Sequence, residues 1–281
     1  MSTEFELTPE EFEGFSNLIY ERIGMRFEEK KNYFLSKRIE KRISEMGMES
    51  PFEYLQYLKY LDKNGTEFQS FVNSLTINET YFFRDFPQLT GFAENCLPEV
   101  IEQKLKNNEK KLNIWCAGCS SGEEPYTLGI IFEEMLENSN NWEIKIIASD
   151  IDETILKKAI RGEYEERSLK DVPPEYLKNY FDATPRGLYR IKDKIRRQIT
   201  FEHLNLGDTQ AMRLHKGYDF IFCRNVLIYF DDISRKKVVD HFYVALNRGG
   251  FIFLGSSESI GRVTTAFKLR RIGAHLVYCK V

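Results

Sequence analysis

Between residues 112 and 254 short apolar runs alternate with helical patterns, and this alternation restricts the fold more tightly than any other feature. LNIWCAG, IKIIASD, YDFIFCRN and GFIFLG read as buried strands. Helical spacing occupies 123–137, 153–160 (closed by Gly162) and a stretch within 231–246. Strand and helix in strict turn predict an α/β fold, a mostly parallel sheet with helices on both faces. The C-terminal end departs from the rule, because FKLRRIG and AHLVYCK predict a closing antiparallel pair. Residues 163–198 also interrupt it, with a helix over PPEYLKNYF and a short β-hairpin over GLYRIKDKIRRQITF. Insertions on this architecture often carry specificity.

The first 75 residues predict four helices. Thr8-Pro9-Glu10-Glu11 and Ser50-Pro51-Phe52-Glu53 each set a hydroxyl at the cap, proline at the first helical position and glutamate three after the cap, so helices begin near residues 9 and 51. Leu35, Ile39, Ile43 and Met46 recur at helical spacing. Lys30, Lys31, Lys37, Arg38, Lys41 and Arg42 occupy a different arc, which gives an amphipathic helix with a basic outer face. Thr66 is expected to cap a fourth helix carrying Phe68, Phe71, Val72 and Leu75.

With 281 residues, 42% hydrophobic and 30% charged, the chain suits one large domain plus a smaller one. A net charge of -3 offers no global attraction for nucleic acid or an acidic membrane. The start, MSTEFELTPEEF, lacks a secretory pattern, and the apolar runs are too short to span a bilayer, so the expected address is cytoplasmic. The five cysteines form no disulfide framework. Cys116 and Cys119 have metal spacing but no second Cys or His pair beside them, so they are read as packing residues and no metal is expected.

The first strand runs into WCAGCSSGEEP, where an open parallel sheet binds its ligand. A phosphate-binding turn wants G-x-G-x-x-G or a Gly-Lys-Ser/Thr, and neither is present. The helix opens instead on Glu123 and Glu124. Carboxylates there complement the helix dipole, which is one reading. The other is a cationic ligand without phosphate: S-adenosylmethionine carries an ammonium and a sulfonium. Asp150, ending IKIIASD, suits ribose hydroxyls, while Asp152 is the better candidate to cap the next helix.

NETYFFRD, WCAGCSSGEEPYTL, ASDID, HLNL and FCRNVLIYF, in that order along nearly the whole chain, resemble the chemotaxis receptor methyltransferases of the CheR type. The resemblance implies a Rossmann-like methyltransferase domain with a seven-stranded sheet over 99–281, an inserted hairpin subdomain at about 163–198, an all-α domain over 1–75 and a linker, 76–98, that reaches the cofactor. It implies that Asn78, Thr80 and Arg84 lie over S-adenosylmethionine, that Gly118 binds it and that Glu124 serves its methionine end. Asp150 would serve the ribose, Asn205 and Leu206 border adenine, and Arg224 and Asn225 lie close by. Arg84 and Tyr229 would line the place where methyl donor and substrate meet, leaving S-adenosylhomocysteine as product. Phe82 and Phe83 are read as packing residues, and the GSSES loop at 255–259 is given no chemistry.

The implied partner is the glutamate-rich helical cytoplasmic region of chemotaxis receptors, for which Lys31, Arg38 and Arg42 are candidate docking residues. A glutamate, with a pKa of about 4.3, is already ionised at neutral pH, so methylation needs no general base. The acidic or amide residue with two prolines and an aromatic that marks amino-group methylation of nucleic acid is missing after YDFIFC. The loop in FDATPRGLYRI looks shorter than the one with which some relatives grip a receptor's C-terminal peptide, which counts against tail tethering. A non-catalytic scaffold that binds S-adenosylmethionine, and a methyltransferase of RNA or a small acid, remain the alternatives.

Overall fold

The computed structural model describes residues 5–136 and 141–281. α1 (Pro9–Ile23) starts as its sequence requires. The Thr8 hydroxyl accepts from the Glu11 amide at 3.3 Å, and the Glu11 carboxylate accepts from the Thr8 amide at 2.9 Å. α2 (Asn32–Met46) buries Leu35, Ile39 and Ile43, and α3 (Pro51–Gln56), capped by Ser50, continues into a π-helical turn at Tyr57–Leu61. α4 (Thr66–Leu75) buries Phe68, Phe71, Val72 and Leu75, but Thr66 does not cap it. Gly65 holds that position at φ 67°, and the Asp62 carboxylate accepts from the Glu67 and Phe68 amides across the turn, at 3.3 and 2.7 Å. With those donors already satisfied, Thr66 falls inside the helix.

The chain then passes through α5 (Phe86–Gly91) and α6 (Leu97–Lys106) into β1 (Lys111–Ala117), α7 (Glu123–Met135), β2 (Glu143–Asp150) and α8 (Glu153–Arg161). The expected end of α7 at residue 137 lies outside the described residues. The insertion supplies β3 (Glu163–Tyr164), α9 (Pro174–Tyr180), β4 (Phe181–Ala183), β5 (Tyr189–Ile191) and α10 (Asp193–Arg196). β6 (Ile199–His203), α11 (Thr209–Met212), β7 (Tyr218–Cys223), α12 (Asp232–Ala245), β8 (Leu246–Leu254), β9 (Lys268–Ile272) and β10 (His275–Cys279) complete it.

Among the described residues, seven strands form the main sheet in the order β6-β2-β1-β7-β8-β10-β9. The first five are parallel, and β10 runs antiparallel to both its neighbours, as FKLRRIG and AHLVYCK predict. The order reverses between β1 and β7, which opens a crevice at the carboxyl ends of those strands. β1 shows the period-two logic of a strand buried on both faces. Leu112, Ile114 and Cys116 join one core layer while Trp115 and Ala117 join the other. Phe92 meets Phe132, Phe220, Phe222 and Phe253 edge-on in the first layer. A third cluster lies among α1 to α4.

The insertion corrects one expectation. Its hairpin joins β4 to β5, with β3 as a third antiparallel strand, and residues 199–203 leave it to become the edge strand β6. Ile195 is fully buried, and Gly129 of α7 leaves so little room that a Cβ there would stand 2.9 Å from Ile195 Cγ2. The run KDKIRRQ therefore turns as a short helix against α7 instead of extending.

Candidate active site

A cleft of about 250 Å³ lies over the crevice, lined on one side by residues 76–81 and Arg84 and by Ile23 and Met25 at and just beyond the end of α1. Its floor is the loop after β1. The amides of Gly118 and Cys119 both donate to the Ser149 carbonyl, at 2.8 and 2.9 Å, so the loop is tied to the end of β2. Gly118 takes φ 86°, and a Cβ there would stand 2.3 Å from Val226 Cγ2, so only glycine lets the loop after β7 pass this closely. Ser120, at φ 50°, aims its amide at Asp150.

The two aspartates divide as their positions suggest. Asp152 caps α8, accepting from the Thr154 and Ile155 amides at 2.9 and 3.0 Å, and its second oxygen accepts from Thr76 and Asn78 of the linker at 2.7 and 3.0 Å. Asp150 stays in the cleft, accepting from the amides of Ser120 at 2.7 Å and Asp152 at 3.0 Å. Burial pushes its carboxyl above the usual range, against the opposing pull of those N–H bonds.

Glu123 and Glu124 also separate. Glu123 is buried and accepts from the Ser121 hydroxyl at 2.7 Å. Glu124 faces the cleft, but not as a lone charge. Arg224, only 8% exposed, donates to Glu124 at 3.1 Å, to Asp85 at 2.6 Å and to the Arg84 carbonyl at 2.8 Å. Burial raises the Glu124 carboxyl and the Arg224 guanidinium draws it back. Among the described residues, the Nε of Arg224 is buried without a hydrogen-bond partner.

Every residue expected around the cofactor lines this cleft: Asn78, Thr80, Arg84, Gly118, Glu124, Asp150, Asn205, Leu206, Arg224, Asn225 and Tyr229. Arg84 donates to the Glu79 carbonyl at 2.7 Å and, among the described residues, forms no ion pair within 4 Å. Asn205 is committed to the scaffold, since its amide donates to the Arg22 carbonyl and its oxygen accepts from Gly207, both at 2.8 Å. Tyr229 closes a 3₁₀ turn, Leu227–Tyr229, its carbonyl accepts from the Arg26 amide at 3.0 Å, and Lys31 Nζ lies 5.8 Å from its ring centroid. Burial raises its phenol and the nearby Glu258 adds to that. Phe82 and Phe83 are buried packing residues.

The basic face of α2 is smaller than its sequence suggests. Arg42 turns inward, where Nε donates to Glu67 at 2.8 Å, with Glu45 beside it, and Tyr54 completes the network by donating to Glu67 at 2.8 Å. Arg38 lies over the Phe34 ring at 4.9 Å, and Lys31 stands beside the cleft. Sequence reasoning missed Asp85, visible inside NETYFFRD, and Glu258, whose loop it quoted without a role. It also missed Ile23 and Met25, for which no local signal exists. Cys116 and Cys119 are buried and their thiols are pushed well up by desolvation, which suits packing. Among the described residues, no cluster of three or more His, Cys, Asp or Glu could hold a metal, and no helix is long and apolar enough to cross a membrane.

A doubly wound sheet whose first crossover offers carboxylates where a dinucleotide fold offers an anion nest, with a second acid ending the next strand, suits a nucleoside cofactor without phosphate, and the class the chain falls in is that of the S-adenosylmethionine-dependent methyltransferases. The chain belongs to the CheR methyltransferase family. The family's S-adenosylmethionine-binding domain matches residues 78–275, and its all-α domain matches residues 10–76. It is 39% identical to chemotaxis protein methyltransferase 2 of Vibrio cholerae, over 99% of this chain and 95% of that one. It is 31% identical to the chemotaxis protein methyltransferase of Borreliella burgdorferi, over 90% and 89%. Among solved structures, magnesium protoporphyrin IX methyltransferase from Synechocystis, with bound cofactor, aligns with a TM-score of 0.35 at 15% identity, over 80% of this chain and 94% of that one.

Proposed function

We propose that the chain methylates glutamate side chains of chemotaxis receptors: its relatives are named chemotaxis protein methyltransferases, and the observation carrying the glutamate reading is Arg84. A guanidinium at the cleft that, among the described residues, has no carboxylate within ion-pair distance is suited to receive one from a substrate.

S-adenosylmethionine supplies the methyl group on a sulfonium. Asp150 would accept hydrogen bonds from its ribose. Glu124 would meet its ammonium, with Arg224 and Asn225 close by, so the carboxylates of the cleft fit a cationic ligand. Asn78, Thr80, Asn225 and the Asn205-Leu206 wall would enclose the rest. Bound there, the cofactor would supply that methyl for transfer to a substrate carboxylate oxygen with loss of the carbon–sulfur bond, which would give a neutral ester and S-adenosylhomocysteine. No proton moves, so the residues act by alignment, which contributes on the order of 7–11 kcal/mol in well-oriented systems. Arg84 would orient the carboxylate and Tyr229 would donate one hydrogen bond to it, while binding the anion too tightly would raise the barrier.

Residues 1–75 would dock the receptor's acidic helix through Lys31 and Arg38, residues 76–98 would lie over the cofactor, and 99–281 would hold it. The substrate region lies on the cytoplasmic side of the receptor, so we place the chain in the cytoplasm. Incubation with labelled S-adenosylmethionine and a receptor cytoplasmic fragment should leave a base-labile methyl ester on glutamate, and Arg84→Ala should lower turnover at least tenfold. Cofactor binding without transfer, or a base-stable product, would overturn the assignment.

A further inference from the structure

Glu258 stands outside the cleft, on the loop that follows β8, yet it organises the loop that carries Arg224 and Tyr229. β7 and β8 are parallel neighbours with Cys223 opposite Leu254, so the two loops leave the sheet side by side. Across that gap one oxygen of Glu258 accepts from the Gly255 and Asn225 amides, both at 2.7 Å, and the other accepts from the Ile228 amide at 3.2 Å. Three backbone donors converge on a single carboxylate, two of them from a loop 30 or more residues away. Gly255 makes room for this, since a Cβ there would stand 2.8 Å from Glu258 Oε2 and 3.0 Å from the Asn225 nitrogen.

The held loop needs holding. Asn225 sits at φ 61°, a conformation that costs a non-glycine residue energy, and Ile228 is 49% exposed. Arg224 has its own anchors in Glu124, Asp85 and the Arg84 carbonyl. The stretch from Asn225 to Tyr229 is pinned at two amides by Glu258.

We infer that Glu258 is a positioning residue for methyl transfer: it fixes the 225–229 turn so that Tyr229 faces the cleft, without touching cofactor or substrate itself. The inference rests on the proposed receptor-glutamate reading. A glutamine has one accepting oxygen and presents an NH₂ group to donors, so Glu258→Gln cannot hold all three amides.

The test compares wild type, Glu258→Gln and Glu258→Asp. With receptor fragment as substrate, Glu258→Gln should lower kcat at least tenfold while S-adenosylhomocysteine still binds at full stoichiometry. Glu258→Asp, which keeps the charge, should recover part of kcat. Independently of any substrate, hydrogen exchange at the Asn225 and Ile228 amides should accelerate at least tenfold in Glu258→Gln, with the β1 amides unchanged. Wild-type kcat, or unchanged exchange at those two amides, overturns the inference, and so does a binding stoichiometry that falls in step with activity, which marks simple misfolding. Failure of the wild-type chain to methylate receptor removes the proposed function instead, and the exchange measurement still decides whether Glu258 holds the turn.

Discussion

Asp150 and Asp152 are two residues apart and chemically identical, yet one ends in the cleft and the other at a helix cap. The sequence already favoured this division, because Asp152 immediately precedes the helix over 153–160 and a cap must sit there. Asp150→Asn keeps one accepting oxygen and loses the charge, and we expect it to weaken S-adenosylhomocysteine binding at least tenfold by calorimetry; unchanged affinity would remove Asp150 from the site. Burial raises both Asp150 and Glu124, so both protonate at higher pH than ordinary carboxylates. Their ionised forms attract the cationic cofactor. Affinity for S-adenosylmethionine should therefore be full above their raised pKa values and fall as pH drops through them, starting at higher pH than an unperturbed carboxylate would allow. A flat affinity through the mildly acidic range would contradict this.

Helix α2 shows where periodicity misleads. Arg42 lies seven residues beyond Leu35, at the margin of the buried stripe, and its long side chain can point either way. Which way it points depends on Glu67 and Tyr54, on two other helices, and nothing local to α2 reports them. Arg42→Met leaves a buried carboxylate uncompensated and should cost about 3 kcal/mol in denaturant unfolding, with the receptor KM unchanged. Arg42→Met with Glu67→Leu should cost less than the single change. A purely additive double variant would show that the pair is not coupled. Reversing the charge of Lys31 and Arg38 should instead leave stability nearly unchanged and raise the receptor KM more at low salt than at high. A salt-independent effect would refute docking by charge. The same limit explains the insertion. Alternating residues in GLYRIKDKIRRQITF suggest one hairpin, but burial of Ile195 against α7 bends the segment into a helical turn.

Contacts across the molecule tie the four N-terminal helices to the sheet at the cleft. Asn205 holds the end of α1, Gln69 donates to the Ile151 carbonyl at 2.7 Å, and Met25 bridges to Phe230. A ligand bound there should stabilise both parts together. S-adenosylhomocysteine at 100 times its Kd adds about 2.7 kcal/mol, which for a chain this long should raise Tm on the order of 5 °C in one shared transition. A helical part that melts first and ignores the ligand would contradict that coupling. Strand and helix periodicities, caps such as Thr8 and Asp152, and the acidic crossover loop were all legible in the sequence, because each depends on residues within a turn or two of one another. The pairing of Arg224 with Glu124 and Asp85, the inward turn of Arg42 and the grip of Glu258 on the loop after β7 join residues 25 to 139 positions apart. Those partners meet only after the sheet order and helix packing are set, so no local pattern could have named them.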